Sequence, residues 1–173
     1  MPASAADPDK MTSNHDSRRF FKDPVIYTQV VVVAADRAHV WRLFTDFSTY
    51  KDWNPFVLRV EGEAVVGGEL RLKTRLSSNI TVKLKHRVSV LDYEKKFCWD
   101  NAGLPALFAS AHQCLTLESM SEDKVLVKQE VIMDGGLINT ADALMGRRLT
   151  NGVAAETAAL KRYAEMTFAG NVD

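Results

Sequence analysis

Residues 25–34, Val-Ile-Tyr-Thr-Gln-Val-Val-Val-Val-Ala, form a short β-branched run that predicts a strand. Asp36 then offers a helix N-cap, and Ala38, Trp41, Leu43, Phe44 and Phe47 give the helix after it one apolar side. Ser48 or Thr49 can open a second short turn, which Pro55 closes by holding Asn54 extended. From Phe56 the hydrophobic period shifts from about 3.6 residues to about 2. Strands are predicted at 56–62, 69–76, 80–91, 96–101, 109–118 and 124–133, with turns at Gly67-Gly68 and Ser77-Ser78-Asn79. Leu70, Leu72, Thr74 and Leu76 share one face, as do Ile80, Val82, Leu84, His86, Val88 and Val90. Glu69, Arg71, Lys73, Arg75, Thr81, Lys83, Lys85, Arg87 and Ser89 take the other. Such alternation describes an antiparallel sheet with one face wet and one covered. The apolar, Gly- and Pro-containing segment 102–108 interrupts it and reads as a flap over an opening.

After Asp134-Gly135-Gly136, apolar residues Leu137, Ala141, Leu144, Met145, Leu149, Val153, Leu160 and Ala164 recur at helical spacing. They predict one helix over about 138–167, roughly 45 Å long. Gly146 and Gly152 inside it mark a kink or room left for a ligand. The predicted fold class is α+β: a curved antiparallel sheet of about seven strands wrapped on the long C-terminal helix, with two short helices plugging one end. A curling sheet and a straight helix diverge, leaving a hollow, and a hollow implies a ligand.

Composition bounds the function. Lys plus Arg equals Asp plus Glu at 22 each, a balance that argues for neither nucleic acid nor an anionic membrane. No apolar run is long enough to span a bilayer. Residues 1–23 lack apolar periodicity and a secretory core, and read as a flexible tail before a domain at 24–168, with a short tail at 169–173. Cys98 and Cys114 lie in predicted strands that pairing could bring together, but without a signal peptide they read as free thiols in a cytoplasmic protein. The histidines and cysteines show no metal-ligand spacing, and no phosphate-cradling loop or Gly-x-Ser-x-Gly elbow occurs, so no metal or cofactor is expected. The oligomeric state is open, a homodimer included.

Val40-Trp41, Thr45-Asp46-Phe47 through Tyr50, Trp53-Asn54-Pro55-Phe56, Leu115-Thr116-Leu117-Glu118, Gln129-Glu130 and Gly135-Gly136-Leu137 carry a likeness. Over about 25–167 the chain resembles the START-like (SRPBCC, Bet v 1-like) helix-grip superfamily, closest to its polyketide cyclase/dehydrase-like branch. The resemblance implies a helix-grip fold and a small hydrophobic ligand of polyketide, lipid, terpenoid or aromatic type. It leaves activity open, because aromatase/cyclases, carriers and receptors share the fold. Members of the branch often place a histidine where Gln113 stands here, and a Gln cannot transfer a proton at neutral pH.

His86 is the sharpest candidate for chemistry. It is the one ionisable side chain on an apolar face, where desolvation would keep it neutral and suited to act as a general base; a hydrogen-bonded core histidine is the alternative. Gln129 and Glu130 are adjacent on one strand, so only one faces the hollow; parity favours Gln129, while Glu130 facing in would be an acid partner for His86. Thr74, Leu84, Trp99, Asn101, Leu107, Phe108, Gln113, Gln129, Leu144 and Leu149 are the expected ligand-binding set. Asp46, Trp53 and Asn54 read as structural, fixing the corner between helix and strand. Two functions follow: a cofactor-independent cyclase or dehydratase, a lyase or isomerase, using His86; or a carrier, sensor or chaperone for a hydrophobic ligand.

Overall fold

The computed structural model describes residues 23–102, 110–135 and 138–170. The expected N-terminal tail, most of the flap segment, and with it Leu107 and Phe108, lie outside the described residues. Strand β1 (Val25–Val33) leads to helix α1 (Arg37–Thr45), a 3-10 turn (Phe47–Thr49) and α2 (Tyr50–Trp53). Strands β2 (Val57–Glu61), β3 (Glu69–Ser77), β4 (Ile80–Asp92), β5 (Lys96–Asn101), β6 (Ser110–Ser121) and β7 (Lys124–Asp134) follow, and α3 (Ile138–Ala169) closes the fold.

The sheet is antiparallel throughout, in the order β1-β7-β6-β5-β4-β3-β2. Register shifts interrupt the β2–β3, β3–β4, β4–β5 and β6–β7 ladders. An extra residue on one side of a ladder bends the strand and increases its twist, which helps curl the sheet around α3. Asp36 caps α1 as expected, its carboxylate accepting from the His39 N–H at 2.5 Å. Where α1 and α2 plug one end of the curl, Phe44, Tyr50, Phe97 and Trp99 fill the core; Phe44 stacks on Trp99 with ring centroids 5.8 Å apart.

The two glycines of α3 leave space, but for the protein's own side chains. A Cβ on Gly152 would stand 2.3 Å from the Phe56 ring, and one on Gly146 would stand 2.8 Å from the Tyr27 hydroxyl, which donates to Asp142. Neither gap is open to a ligand, correcting that expectation.

The cysteines also depart from expectation. Cys98 and Cys114 are register partners on β5 and β6 and are joined as a disulfide, with Cα atoms 4.2 Å apart. That separation is typical of the closer pairs of an antiparallel ladder. The free-thiol reading rested on the expected compartment, whereas strand pairing fixes the geometry. Closing a loop of this length contributes about 3 kcal/mol, mainly by restricting the unfolded chain.

Candidate functional site

A cavity of about 300 Å³ lies between the inner face of β3 to β7 and the first half of α3. Leu72, Leu76, Val82, Val131 and Met133 wall it from the sheet, Phe56 and Val57 close it below, and Met145, Leu149 and Val153 cover it from α3. Of the sequence-predicted residues, Thr74, Leu84, His86, Asn101, Gln113 and Leu149 line it.

The others do not. Trp99 is wholly buried in the aromatic core and reaches the site only through its indole N–H, which donates to Gln113 Oε1 at 3.1 Å. Gln129 faces inward, as parity favours, but lies deeper, its Oε1 accepting from the Thr157 hydroxyl. Glu130 points to the outer face and pairs with Lys128 at 2.9 Å, so it is no partner for His86. Leu144 is 69 % exposed; its neighbour Met145 faces the cavity instead. A ladder of fours from Met145 through Leu149 to Val153 defines the inner stripe, and Leu144 stands about 100° away from it.

His86 and Asn101 are register partners on β4 and β5. Their side chains share a face with Cβ atoms about 5 Å apart, giving the cavity one polar end. His86 is 7 % exposed, its ring stands 6.1 Å from that of Trp99, and its Nδ1 has no hydrogen-bond partner among the described residues. Burial lowers its pKa to about 4, against a weaker upward pull from Asp100, so the imidazole is neutral at pH 7. On β3, across from Val82 and so four residues along β4 from His86, Thr74 presents a second buried polar atom, an oxygen without a partner among the described residues.

Sequence reasoning missed Glu156. It sits on α3, fully buried, in the seven-residue interval between the inward-facing Val153 and Leu160. An acid on the apolar stripe of a helix was the available signal. Asn54 Nδ2 donates to its Oε1 at 2.6 Å and Gln113 Nε2 to its Oε2 at 3.1 Å. Burial raises its pKa to about 7, while hydrogen bonds from Asn54, Gln113 and Gln129 favour the ionised form. Asn54 also accepts from the Phe56 and Val57 N–H groups at 3.0 and 2.8 Å, which sets the Trp-Asn-Pro-Phe turn. Gln113 is thus held at both ends of its carboxamide, by Trp99 and Glu156. Among the described residues no group of three or more His, Cys, Asp or Glu could hold a metal ion, and no helix is long and apolar enough to cross a membrane.

Residues 24–165 match the family described as polyketide cyclase / dehydrase and lipid transport. Among solved structures the chain is similar to the Zhui aromatase/cyclase of a Streptomyces species, with a TM-score of 0.69 at 15 % identity over 82 % of this chain and 94 % of that one. It is also similar to norcoclaurine synthase from Thalictrum flavum in complex with dopamine and hydroxybenzaldehyde, with a TM-score of 0.64 at 13 % identity over 83 % and 87 % of the two chains. A START superfamily protein from Mycobacterium smegmatis gives a TM-score of 0.55 at 14 % identity over 78 % and 96 %. At such identities the likeness shows the fold alone, which is the expected helix-grip arrangement. A search of curated proteins finds no match.

His86 and Glu156 act on stability in opposite senses over nearly the same pH range. An unfolded histidine, near 6.5, takes up a proton that folded His86 refuses until about pH 4, so His86 costs stability as pH falls through that window. Folded Glu156 keeps its proton to about pH 7 whereas the unfolded group loses it near 4.5, so stability present below 4.5 is lost as pH rises through 7. Each effect is about 3 kcal/mol. In urea titrations, Glu156→Gln should gain on the parent protein as pH rises from 4.5 to 7, and His86→Gln should gain on it as pH falls from 6.5 to 4. Variant curves parallel to the parent's would show that neither group is shifted.

Proposed function

Because this chain belongs to the polyketide cyclase / dehydrase and lipid transport family, we propose that it binds a small, uncharged, largely apolar molecule in the cavity between α3 and the sheet. The observation that carries this reading is the pairing of an apolar hollow with two buried polar atoms, His86 Nδ1 and Thr74 Oγ1, that have no partner among the described residues. Such atoms are costly when unsatisfied, and a ligand oxygen would satisfy either. The volume, about 300 Å³, is about twice the ~150 Å³ that admits one benzene ring. It suits an aromatic, terpenoid or polyketide-type body of about two rings, or a folded acyl chain. Held neutral, His86 orients a carbonyl or hydroxyl group without adding a buried charge.

Catalysis is the second reading, favoured by the unpartnered Nδ1 of His86. In a polyketide-type substrate it would accept a proton from the carbon beside a carbonyl, leaving an enolate that closes a ring or expels water without a cofactor. A base near pKa 4 is poorly matched to that task at pH 7, so binding as a carrier or sensor ranks first. The Cys98–Cys114 bridge weighs against the cytoplasmic location expected from free thiols, since disulfides persist in oxidising compartments.

The uncharged fluorophore phenylnaphthylamine tests the binding reading. It should bind one to one, and Leu149→Trp, which fills the hollow, should weaken it by about tenfold or more, whereas Leu144→Trp on the solvent side should leave it unchanged. Equal binding by both variants would place the probe elsewhere. For a polyketide-type ketone turned over by the protein, His86→Ala should lower turnover far more than affinity; an equal loss of both would leave His86 a binding residue only.

A further inference from the structure

The chain is neutral overall, yet its charges are sorted by face. The outer side of β2, β3 and β4 presents Arg59, Arg71, Lys73, Arg75, Lys83, Lys85 and Arg87, all exposed, against Glu61, Glu69 and Asp92. The two glutamates pair with Arg59 at 3.0 Å and Arg71 at 3.4 Å. Lys73, Arg75, Lys83, Lys85 and Arg87 make no ion pair among the described residues. Like charges also stand directly opposite: Lys73 faces Lys83, and Arg71 faces Lys85. Such pairs destabilise a sheet; acids stand across from Arg71 and Arg87, but the cluster of Lys73, Lys83 and Lys85 has none opposite it, and its charge calls for an anionic partner.

We propose that the outer face of β2–β4 docks the protein on an anionic lipid bilayer. None of the outward residues on this face is aromatic, which removes the stacking platform that single-stranded nucleic acid uses. Three of its five unpaired cations are lysines, a residue depleted at protein–protein interfaces but effective in long-range attraction to a charged membrane. Strands β3 and β4 carry Thr74, Val82, Leu84 and His86 on their inner face, so docking brings the cavity wall to the bilayer. If the cavity holds an apolar molecule as proposed above, the bilayer is a reservoir for it; the charge argument does not depend on that.

Co-sedimentation with vesicles of phosphatidylserine and phosphatidylcholine, against phosphatidylcholine alone, tests the proposal on the full chain. Binding should require phosphatidylserine and be released by salt. Each surface cation raises partition about fivefold, so the triple variant Lys73→Gln, Lys83→Gln, Lys85→Gln should lose about a hundredfold. The variant Lys95→Gln, Lys96→Gln, Lys124→Gln, with the same loss of charge elsewhere, should bind like the parent. Equal loss in both variants, indifference to phosphatidylserine, or tighter binding to an RNA homopolymer or to polyglutamate than to vesicles would overturn it. Phenylnaphthylamine binding by the first variant should be unchanged, so failure here is separable from failure of the cavity reading.

Discussion

One buried carboxyl group holds the architecture together. Glu156 accepts hydrogen bonds from Asn54, at the turn that follows α2, and from Gln113, in the first half of β6. It therefore ties the C-terminal helix to the helical plug and to the sheet at one point. Asn54 uses its amide oxygen to accept from the backbone N–H groups of Phe56 and Val57, so the same side chain that grips the helix also sets the path into β2. Hydrogen bonds to a charged group contribute about 1.5–3 kcal/mol each, and a buried acceptor left without donors costs more than the bond gained. Burial and hydrogen bonding oppose each other at Glu156, which explains a pKa near 7 rather than an extreme one.

The hollow follows from that clamp. Phe56 lies against α3 where Gly152 has no side chain, and this close approach seats one part of the helix on the plug. Toward the helix N-terminus the sheet curls away, and Met145 and Leu149 cover the resulting space without filling it. Aromatic side chains are concentrated at the other end, around Trp99 and Phe44. The molecule is densely packed where the clamp sits and open where His86, Asn101 and Thr74 stand.

Much of this was legible in the residues. Period-two alternation placed Thr74, Leu84 and His86 on the inner face, because the pleat leaves a strand residue only two directions. The same rule put Gln129 inside and Glu130 outside once β7 took its register between β1 and β6. The helix was harder. Leu144 and Met145 are both apolar, and only the packed rotation of α3 decides which one faces in. Glu156 escaped notice because its partners Asn54 and Gln113 are 102 and 43 residues away in sequence. Trp99 has the chemistry of a ligand-gripping side chain, but Phe44 and Phe97 enclose it. The disulfide is a register property, visible only when Cys98 and Cys114 meet across β5 and β6. Charge told least at the level of totals: a zero sum conceals a face on which cations outnumber anions.

The central claim is that the space beside His86 is kept for a molecule other than the protein. Native mass spectrometry of the protein isolated from its own source, followed by solvent extraction, addresses it most directly. One apolar, uncharged species should be bound one to one and released by solvent. Protein of bare chain mass, both as isolated and after incubation with a lipid extract of that source, would contradict it.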